Sequence, residues 1–340
     1  MQEQKDTSEK YELHKFVADK GQTPLRVDKF LVDRIENISR SKIQNAANKG
    51  YVIVNGKEVK VNYKVRPDDL IQLMTFYKPE KIDISPEDIP IDIIFEDEEY
   101  LIINKKAGMV VHPAYGNETG TLVNALMFYF KDLALFKTGE LRAGLVHRLD
   151  KNTSGVMVIA KTDEALTEIS RQFYERQPDK RYIAMVWGIP KEEEGTINAN
   201  IGRNLKNRKV MDVFPNGDFG KHAITHYKVI MNLGHVSLVE CKLETGRTHQ
   251  IRVHMKYLGH PIFGDKEYGG DQILRGTRYT KYKQFIQNCF KLMPEQALHA
   301  KTLEFDHPKT GERVKYKAEL PENFKLLIDK WKQYLENREI

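Results

Sequence analysis

One carboxylate stands between two cations in the middle of this chain, at the end of an apolar run. Asp150 follows Arg148 by two positions and is followed directly by Lys151. Cations this close favour the ionised form of a carboxylate, so we expect Asp150 to be anionic at neutral pH. An anionic carboxylate can act as a nucleophile or as a base. The alternative is a structural role, because an Asp that enters a turn commonly hydrogen-bonds its own backbone.

The residues around this carboxylate predict how it is positioned. An apolar run ends at Leu149, and a second one extends over Val156–Ala160. Two such runs on either side of a turn sequence predict two buried strands, with Asp150 at the end of the first. Side chains alternate between the faces of a strand, so Arg148 and Asp150 should lie on one side, with Lys151 close by.

The nine consecutive residues from His147 to Gly155 carry a resemblance to a known family. They read His-Arg-Leu-Asp-Lys-Asn-Thr-Ser-Gly, and this string resembles the catalytic motif of the RluA/RluD family of RNA pseudouridine synthases. The resemblance implies that Asp150 is the catalytic residue. It also implies that Arg148 holds an everted nucleotide or fills the gap that the nucleotide leaves. We take His147 as a further candidate RNA contact.

A tyrosine and two arginines complete the candidate site. Tyr182 opens an apolar stretch that predicts a strand; residue statistics favour a packing role for it, whereas the resemblance makes it the active-site tyrosine. The segment Glu244–His254 matches another signature of the family, and the resemblance implies Arg252 as the partner of the Asp150 carboxylate. If this segment is extended, Arg247 faces the opposite side and contacts the backbone or RNA.

A short basic segment near the N-terminus predicts a separate RNA-binding domain. Between Leu25 and Phe76 the chain has ten Lys or Arg against six Asp or Glu, so +4 of the net charge of +6 falls there. Two helical patterns precede a hairpin signal at Asn55-Gly56. This arrangement resembles the alpha-L RNA-binding domain of a small-subunit ribosomal protein. Arg40 and Lys42, at the start of the second helix, are candidate RNA contacts, and a solvated face is the alternative.

A second basic run extends from Arg203 to Lys209 and has the composition of a loop. Arg203 and Lys206 are candidate contacts to the RNA backbone, because positive side chains bind phosphate groups whatever the base sequence is. A solvated loop without a ligand explains the same composition equally well.

The composition limits the class of protein. The chain has 340 residues, a pI near 8.9 and 30% charged residues, and no apolar run approaches the ~20 residues of a membrane helix. We therefore expect a soluble protein that does not bind a membrane. Its positive net charge favours a polyanionic partner. The polar start predicts no secretory signal. Cys241 and Cys289 are far apart and form no Cys-x-x-Cys pair, so we expect a cytoplasmic location.

The expected organisation has four parts. Residues 1–22 are polar without periodicity and predict a disordered tail. Residues 23–76 form the alpha-L type domain, and 77–90, with three prolines, form a linker. Residues 91–340 form the catalytic domain, which ends in a helix indicated by the spacing of Phe324, Leu327 and Trp331. Short strands between helices, without a regular repeat, predict an α+β fold with a mixed, largely antiparallel sheet.

The resemblance implies a pseudouridine synthase that acts on RNA. Uracil is detached from its ribose, turned and rejoined through carbon 5, which in principle requires no cofactor and no metal ion. The sequence contains no Gly-rich phosphate loop and no His-Glu-x-x-His pair. Asp150 could attack the anomeric carbon or remove the 2′ proton. Tyr182 could stack on the uracil or take the proton from carbon 5, and its pKa of about 10 makes it a weak base unless a nearby charge lowers that pKa.

The implied substrate is large-subunit ribosomal RNA, with transfer RNA as the alternative. Two other classes of protein stay open at this point. One is a catalytically silent RNA-binding factor for ribosome assembly, and the other is a glycosidase-like hydrolase that releases free uracil. The sequence does not indicate the oligomeric state, and we take a monomer as the default.

Overall fold

The structure is a computed structural model, and it describes residues 11–21, 23–35, 38, 40–75, 84–113, 116–133, 136, 144–207, 210–277 and 279–337. The chain divides into two compact units, Met1–Ile82 and Asp83–Ile340. The expected linker, residues 77–90, lies outside the described residues as far as position 83. Residues 84–90 are described and contain neither helix nor strand.

The first unit packs two helices and two small sheets around one apolar core. Its helices and strands are α1 (Val27–Arg34), α2 (Arg40–Asn48), β1 (Tyr11–Val17), β2 (Leu25–Arg26), β3 (Val52–Val54), β4 (Lys57–Glu58), β5 (Lys64–Val65) and β6 (Leu70–Thr75). One sheet has the order β1-β6-β3-β4, and β2 pairs with β5. The core buries Phe30 and Leu31 of α1 and Ile43 of α2 against Val52 and Ile71. The predicted hairpin turn is present, with positive φ angles at Asn55 and Gly56.

The disordered tail predicted for residues 1–22 is wrong for its second half. Tyr11–Val17 forms strand β1, which pairs antiparallel with β6 from Tyr11 opposite Thr75 to Val17 opposite Leu70. Ala18, directly after the strand, is buried. Pairing at a sheet edge satisfies backbone hydrogen bonds for almost any composition, and a polar segment therefore gives little sign of it. Residues 1–10 and 22 of the expected tail lie outside the described residues.

The second unit is built on one large mixed sheet. Its strands are β7 (Ile93–Glu96), β8 (Tyr100–Lys105), β9 (Ser154–Ala160), β10 (Asp179–Trp187), β11 (Glu194–Asn198), β14 (Ile224–Asn232), β15 (Val236–Leu243), β16 (Leu298–Asp306) and β17 (Arg313–Lys317). The strand order is β11-β14-β15-β10-β16-β9-β8-β7, and β17 also pairs with β16. Of the paired strands, only β9 and β16 run parallel in the described residues. The predicted α+β fold with a mixed, largely antiparallel sheet is confirmed.

Helices cover this sheet, and a small hairpin lies beside it. The helices are α3 (Leu122–Tyr129), α4 (Asp163–Tyr174), α5 (Gln250–Tyr257), α6 (Thr280–Leu292) and α7 (Glu322–Glu336), and the hairpin pairs β12 (Asn200–Arg203) with β13 (Met211–Phe214). Trp187 of β10 packs edge-on against Trp331 of α7, at 6.4 Å between ring centroids. Phe285 of α6 also packs on Trp331. The C-terminal helix predicted from apolar spacing is therefore present and docked on the core.

The central strand β16 lies between β9 and β10 and brings the candidate site together. Gly155 of β9 and Tyr182 of β10 both pair with Ala300 of β16, one on each side. Gly155 has a φ of +119°, and a Cβ added there would lie 2.2 Å from the Ala300 carbonyl oxygen. Only glycine permits this approach. The turn that follows Asp150 therefore lies one strand away from Tyr182.

The strand predicted before Asp150 is wrong. Residues 145–149 form no strand, and Leu145 makes only an isolated bridge with Ile159. The backbone N–H of Val158 donates instead to Nε2 of the His147 ring, at 3.1 Å. The His147 side chain thus takes the place of a backbone acceptor beside β9. The pairing that begins at Leu145 and Ile159 therefore does not continue as a strand. Asp150 lies in a loop.

Over the residues that the structure describes, no helix is long and apolar enough to span a membrane. In that same part of the chain, no group of three or more His, Cys, Asp or Glu side chains is arranged to hold a metal ion. Cys241 and Cys289 are both buried, and burial raises the pKa of each thiol to about 12. At neutral pH these thiols are protonated, which makes them poor nucleophiles and metal ligands.

Candidate active site

A cavity of about 120 Å³, here called the Asp150 cavity, opens beside the carboxylate of Asp150. Tyr182, Arg252, Arg148 and Arg247 all contribute to its lining. Cavities of about 150 Å³ hold one six-membered ring, so this space suits a single small ring. The lining comes from the loop before β9, from β10 and from the segment that leads into α5. Folding therefore brings together the three residues predicted to be catalytic.

Two cationic or ionisable groups flank the Asp150 carboxylate. Its Oδ2 lies 3.5 Å from Nη1 of Arg252, and its Oδ1 lies 4.0 Å from Nε2 of His249. The Asp150 side chain is 21% exposed and faces the cavity. In the described part of the chain, no group donates a hydrogen bond to this carboxylate, and the Arg252 contact at 3.5 Å is an ion pair only. Its lone pairs therefore remain available to a ligand.

Arg252 is held in place mainly by other carboxylates. Its Nε and Nη2 donate to both oxygens of the buried Asp265, at 2.7 and 2.8 Å, and Nη2 also lies 2.5 Å from Oε2 of Glu267. Burial works against the Arg252 charge. The hydrogen bonds and the negative charge of Asp265, together with the negative charges of Asp150 and Glu267, nevertheless raise the pKa of Arg252 above the usual range. A bidentate pair of this kind fixes the plane of the guanidinium. Arg252 is thus a fixed positive charge facing Asp150.

The segment that carries Arg252 folds differently from the extended form considered above. Residues from Gln250 onwards form helix α5, and the loop before it is closed by the Gln250 side chain, which accepts hydrogen bonds from the Thr245 hydroxyl and the Arg247 backbone N–H. Arg252 points inward from the first turn of this helix. Arg247 is in the loop and also lines the cavity, so the prediction that the two arginines face opposite sides is wrong.

Tyr182 lies across the cavity from the helix, at the entrance of β10. It is half-buried and packs against the apolar clusters on both sides of the strand. Burial raises the pKa of its hydroxyl above the usual value of about 10, and the negative charge of Asp150 raises it further. Tyr182 therefore carries its proton at neutral pH. Its ring forms one wall of the space beside Asp150.

The two residues before Leu149 point in different directions. Arg148 is exposed and lines the Asp150 cavity, as expected for a contact to a bound nucleotide. The His147 ring stacks on Phe173 at 4.7 Å between centroids and accepts the Val158 backbone N–H. Burial lowers the pKa of His147 to about 3, with the positive charge of Lys180 adding to the effect. The His147 ring is therefore neutral and serves the local fold, and a contact between this ring and RNA stays a prediction.

The second cation expected beside Asp150 is not Lys151. The Lys151 side chain is exposed, and its Nζ donates to Asn117 at 3.2 Å. Lys105, at the end of β8, is buried instead, and its Nζ donates to the backbone carbonyls of Lys106, Met109 and Lys151. Burial lowers the pKa of Lys105 to about 7, and the charge of Asp150 raises it. Direct neighbours in the chain share a backbone bond, which does not determine where their side chains point.

The remaining predicted RNA contacts either lie away from this cavity or are partly engaged in hydrogen bonds within the protein. Arg203 and Lys206 are exposed and line neither of the two cavities next to Asp150. Arg208 and Lys209, at the end of the same basic run, lie outside the described residues. In the first unit, Lys42 is exposed, and Arg40 donates to the buried carboxylate of Asp28 at 2.8 Å.

Sequence reasoning missed two residues of this site, His249 and Lys105. His249 is in the left-handed region, with a φ of +55°, and its Nδ1 is 2.8 Å from the Tyr268 hydroxyl. A residue other than glycine in this region marks a constrained position, often at a functional site. The sequence carries no signal for this conformation. For Lys105, the apolar run Tyr100–Ile103 before it could have suggested burial.

Comparisons with known protein families agree with this arrangement. The family model described as RNA pseudouridylate synthase matches residues 99–257, which include Asp150, Tyr182 and Arg252. A model described as the S4 domain matches residues 25–71, within the first unit. The predicted resemblance to a synthase with an N-terminal RNA-binding domain is confirmed.

Relatives and solved structures extend this likeness over most of the chain. An uncharacterized RNA pseudouridine synthase of Chlorobaculum parvum is 52% identical over 92% of this chain and 95% of that protein. Ribosomal large subunit pseudouridine synthase D of Zymomonas mobilis is 40% identical over 89% of this chain and 92% of that protein. The solved structure of human RNA pseudouridylate synthase domain containing 4 is also similar. The matched region covers 71% of this chain and 93% of the human chain, with a TM-score of 0.54 and 26% identity.

Proposed function

We infer the function of this chain from its family: it belongs to the RluA/RluD RNA pseudouridine synthases and carries an N-terminal S4 domain. It is an isomerase that converts uridine in RNA to pseudouridine. The observation that carries the assignment of its site is one cavity that joins Asp150, Tyr182 and Arg252. Neither a silent RNA-binding factor nor a hydrolase is favoured by the names of its relatives.

In the proposed mechanism, Asp150 is the catalytic carboxylate. The target uridine leaves its helix, at a cost of a few kcal/mol, and enters the cavity. Asp150 then attacks the anomeric carbon or removes the proton from the 2′ carbon; both routes release the uracil for rotation. Because Asp265 and Glu267 hold Arg252 independently of the substrate, its charge is ready to orient Asp150 and to balance the charge changes of the reaction.

Tyr182 and Arg148 complete the proposed uridine site. In this proposal the Tyr182 ring, which lines the Asp150 cavity, stacks on the uracil, and its hydroxyl oxygen is the candidate proton acceptor. Its raised pKa keeps the phenol neutral at rest, so a role in accepting the carbon 5 proton requires deprotonation during the reaction. Tyr182→Phe separates the two roles because it keeps the ring and removes the oxygen. Arg148 holds the everted nucleotide from the rim.

The proposed substrate is large-subunit ribosomal RNA. Several relatives are named ribosomal large subunit pseudouridine synthase D, which specifies this RNA for those proteins. The S4 domain supplies additional phosphate contacts, for which Arg40 and Lys42 are the candidates in the first unit. Arg203 and Lys206 are candidates in the second. Contacts of this kind release bound counterions, so RNA affinity should fall steeply as salt rises.

The proposal includes a monomer that acts in the cytoplasm. The three candidate catalytic residues, Asp150, Tyr182 and Arg252, already meet within one chain, so the proposed mechanism uses no residue of a second copy. Ribosomal RNA as the substrate supports the location. Light scattering on the purified full-length protein would test the first point, and a dimer at working concentration would contradict it.

The substitution Asp150→Asn tests the catalytic assignment. We expect it to abolish turnover while RNA affinity stays within a few fold of the wild type, since the amide cannot act as a nucleophile or base. The measurement is tritium release from unmodified large-subunit ribosomal RNA labelled at carbon 5 of uracil, together with filter binding of the same RNA. Free uracil is followed by chromatography.

Asp271→Asn is the matched control, because Asp271 is exposed and does not line the Asp150 cavity. It should release tritium at the wild-type rate. Substantial tritium release by Asp150→Asn would refute the role of Asp150. Free uracil from the wild type would favour a hydrolase, and release only from transfer RNA would change the proposed substrate.

A further inference from the structure

A second cavity, larger than the first, adjoins the proposed uridine site. It measures about 400 Å³ and shares Arg148, Tyr182 and Arg247 with the Asp150 cavity. We call it the basic cavity, because Arg176 and Lys180 join Arg148 and Arg247 in its lining. Four cations therefore surround one space beside the candidate catalytic carboxylate.

The acidic side chains nearest to these cations are engaged elsewhere. Asp179, next to Lys180 on β10, pairs with Lys242 at 2.7 Å and with Arg181 at 3.0 Å, on the opposite face of the strand. In the described part of the chain, no carboxylate lies within ion-pair distance of Lys180. Among the described residues, the positive charge of Lys180 therefore has no carboxylate partner.

The other cations and acids around the basic cavity show the same imbalance. Glu244 also lines the cavity, so the lining carries four cations against one carboxylate, whose Oε1 lies 2.6 Å from Nε2 of His226. Glu175, next to Arg176, lies 2.6 Å from Arg171. Arg247 donates through Nε to the carbonyl of His222 at 3.0 Å, a neutral acceptor that does not cancel its charge.

The positive charges around the basic cavity repel one another. Burial lowers the pKa of Lys180 to about 8, and the charges of Arg176 and Arg247 lower it further. Burial, and after it the charge of Arg176, also lowers the pKa of Arg247. Like charges held together without a counterion destabilise the folded state. An anionic ligand in the cavity would remove this repulsion.

An aromatic side chain stands at the rim of the same cavity. Tyr174, the last residue of α4, is 88% exposed, although a ring of this size normally buries much of its surface. Its neighbour Phe173 forms the floor with His147, and Lys180 Nζ lies 5.8 Å from the Phe173 ring centre. An exposed aromatic ring beside a group of cations is the usual platform for a base of single-stranded nucleic acid.

We propose that the basic cavity is a second nucleotide subsite, which binds the phosphate group of the RNA residue next to the target uridine and stacks that residue's base on Tyr174. Lys180, Arg176 and Arg247 hold the phosphate, and Arg148 stands between the two subsites. The volume of about 400 Å³ exceeds what one inorganic anion fills and suits a nucleotide. This proposal rests on the proposed function, since it concerns the RNA strand that carries the uridine.

The substitution Lys180→Met tests the phosphate contact in the full-length protein, with a short oligouridylate as the probe. We expect the affinity at low salt to fall about tenfold and the slope of log affinity against log salt to decrease by about 0.7, the value for one phosphate contact on a single strand. The thermal unfolding midpoint should stay or rise, because a partly buried cation without a carboxylate partner among the described residues is removed.

Lys228→Met is the matched control for this change. Lys228 lies on β14 of the same sheet, is 65% exposed and lies 3.8 Å from Glu194. It should keep the wild-type affinity and salt slope. If Lys180 has only a structural role, Lys180→Met will instead lower the unfolding midpoint and leave the salt slope unchanged. An unchanged salt slope for Lys180→Met overturns the phosphate contact.

The substitution Tyr174→Ala tests the stacking contact separately. Removing the ring should weaken oligouridylate binding about fivefold or more, as for one stacked base, without changing the salt slope. Tyr257→Ala is the control, since Tyr257 is 53% exposed and lines neither cavity. Equal affinities of the Tyr174→Ala and Tyr257→Ala proteins would overturn the stacking contact.

The outcome for this subsite can be told apart from the outcome for the catalytic proposal. Tritium release by the wild type from uracil-labelled ribosomal RNA reports on the proposed function alone. If the wild type releases no tritium, that function fails, and the oligouridylate measurements still decide whether the subsite exists. If the wild type is active and Lys180→Met keeps the wild-type salt slope, only the subsite fails.

Discussion

At the scale of single residues, the site depends on a charge that is fixed before the substrate arrives. Arg252 lies 3.5 Å from Asp150, whereas its shorter contacts, at 2.5 to 2.8 Å, go to Asp265 and Glu267. A guanidinium held in this way needs no reorganisation when charge moves on the carboxylate. In the proposed mechanism, the Asp150 oxygens meanwhile stay accessible to the ribose. The division of tasks is between a fixed cation and an accessible anion.

The substitution Arg252→Lys tests this division. Lysine keeps one positive charge but cannot donate to both oxygens of Asp265 and still reach Asp150. We expect the single-turnover rate at saturating RNA to fall about 100-fold, or about 2.7 kcal/mol in the activation free energy, with RNA affinity within a few fold. Tritium release under single-turnover conditions measures the rate.

Glu267→Gln provides the comparison, because Glu267 contacts the same guanidinium from a side chain that is 46% exposed. It should stay within a few fold of the wild-type rate. Urea unfolding of both variants would verify that they are folded. A wild-type rate for Arg252→Lys would show that the fixed orientation of this side chain contributes nothing.

At the scale of elements, the loop of Asp150 is positioned by the segment that leads into β16. Asn152 donates to Glu295 at 2.7 Å, and the Ser154 hydroxyl is 2.9 Å from Nδ1 of His299. The short parallel pairing of β9 with β16 continues this attachment. Residues directly after the carboxylate therefore act as its anchor, and Gly155 determines how closely the two strands approach.

The substitution Gly155→Ala should disrupt this attachment. The added Cβ meets the Ala300 carbonyl oxygen at 2.2 Å, and the φ of +119° is unfavourable for any side chain. We expect a loss of at least about 4 kcal/mol in the free energy of unfolding, the range of severe core substitutions. The urea midpoint of the purified protein measures it.

Gly311→Ala separates the contact from the backbone strain. Gly311 also has a positive φ, of +73°, but an added Cβ there meets nothing within 4 Å. Its cost should be about 1 kcal/mol. Equal losses in the two variants would mean that the close approach of β9 and β16 is unimportant.

At the scale of the whole molecule, several buried histidines couple stability to pH. Burial lowers the pKa of His254 and of His299 to about 4, and that of His147 to about 3. In the unfolded chain these side chains bind a proton below about pH 6.5. The unfolded state therefore binds more protons than the folded state below that pH, and stability falls as the pH drops from about 6.5 towards 4.

The second unit, Asp83–Ile340, should accordingly be acid-labile. Each of these histidines contributes up to about 1.4 kcal/mol per pH unit in that window. We expect the urea midpoint to decrease clearly between pH 7 and pH 5. His299→Gln, which removes one titrating ring that contacts Ser154 and Ala318, should show a weaker pH dependence. A midpoint that is the same at both pH values would contradict the assignment of neutral buried rings.

The sequence by itself determined the class of fold, the family and the identity of the central residues. Helices α4 and α7 follow from apolar spacing, and the hairpin of the first unit follows from Asn55-Gly56. These features depend on local patterns of 3.6 or 2 residues and on turn chemistry, which a single sequence displays. The motif around Asp150 likewise needs no structure to be recognised.

Only the tertiary structure decided which groups surround Asp150 and which point elsewhere. Lys151 turns outward and Lys105 inward, His147 replaces a strand acceptor, and His249 reaches the site from the start of α5. The strand β1 also forms within a polar segment. The reason is physical: adjacency in sequence fixes backbone distances, whereas side-chain direction and edge pairing depend on packing against strands that are distant in the chain.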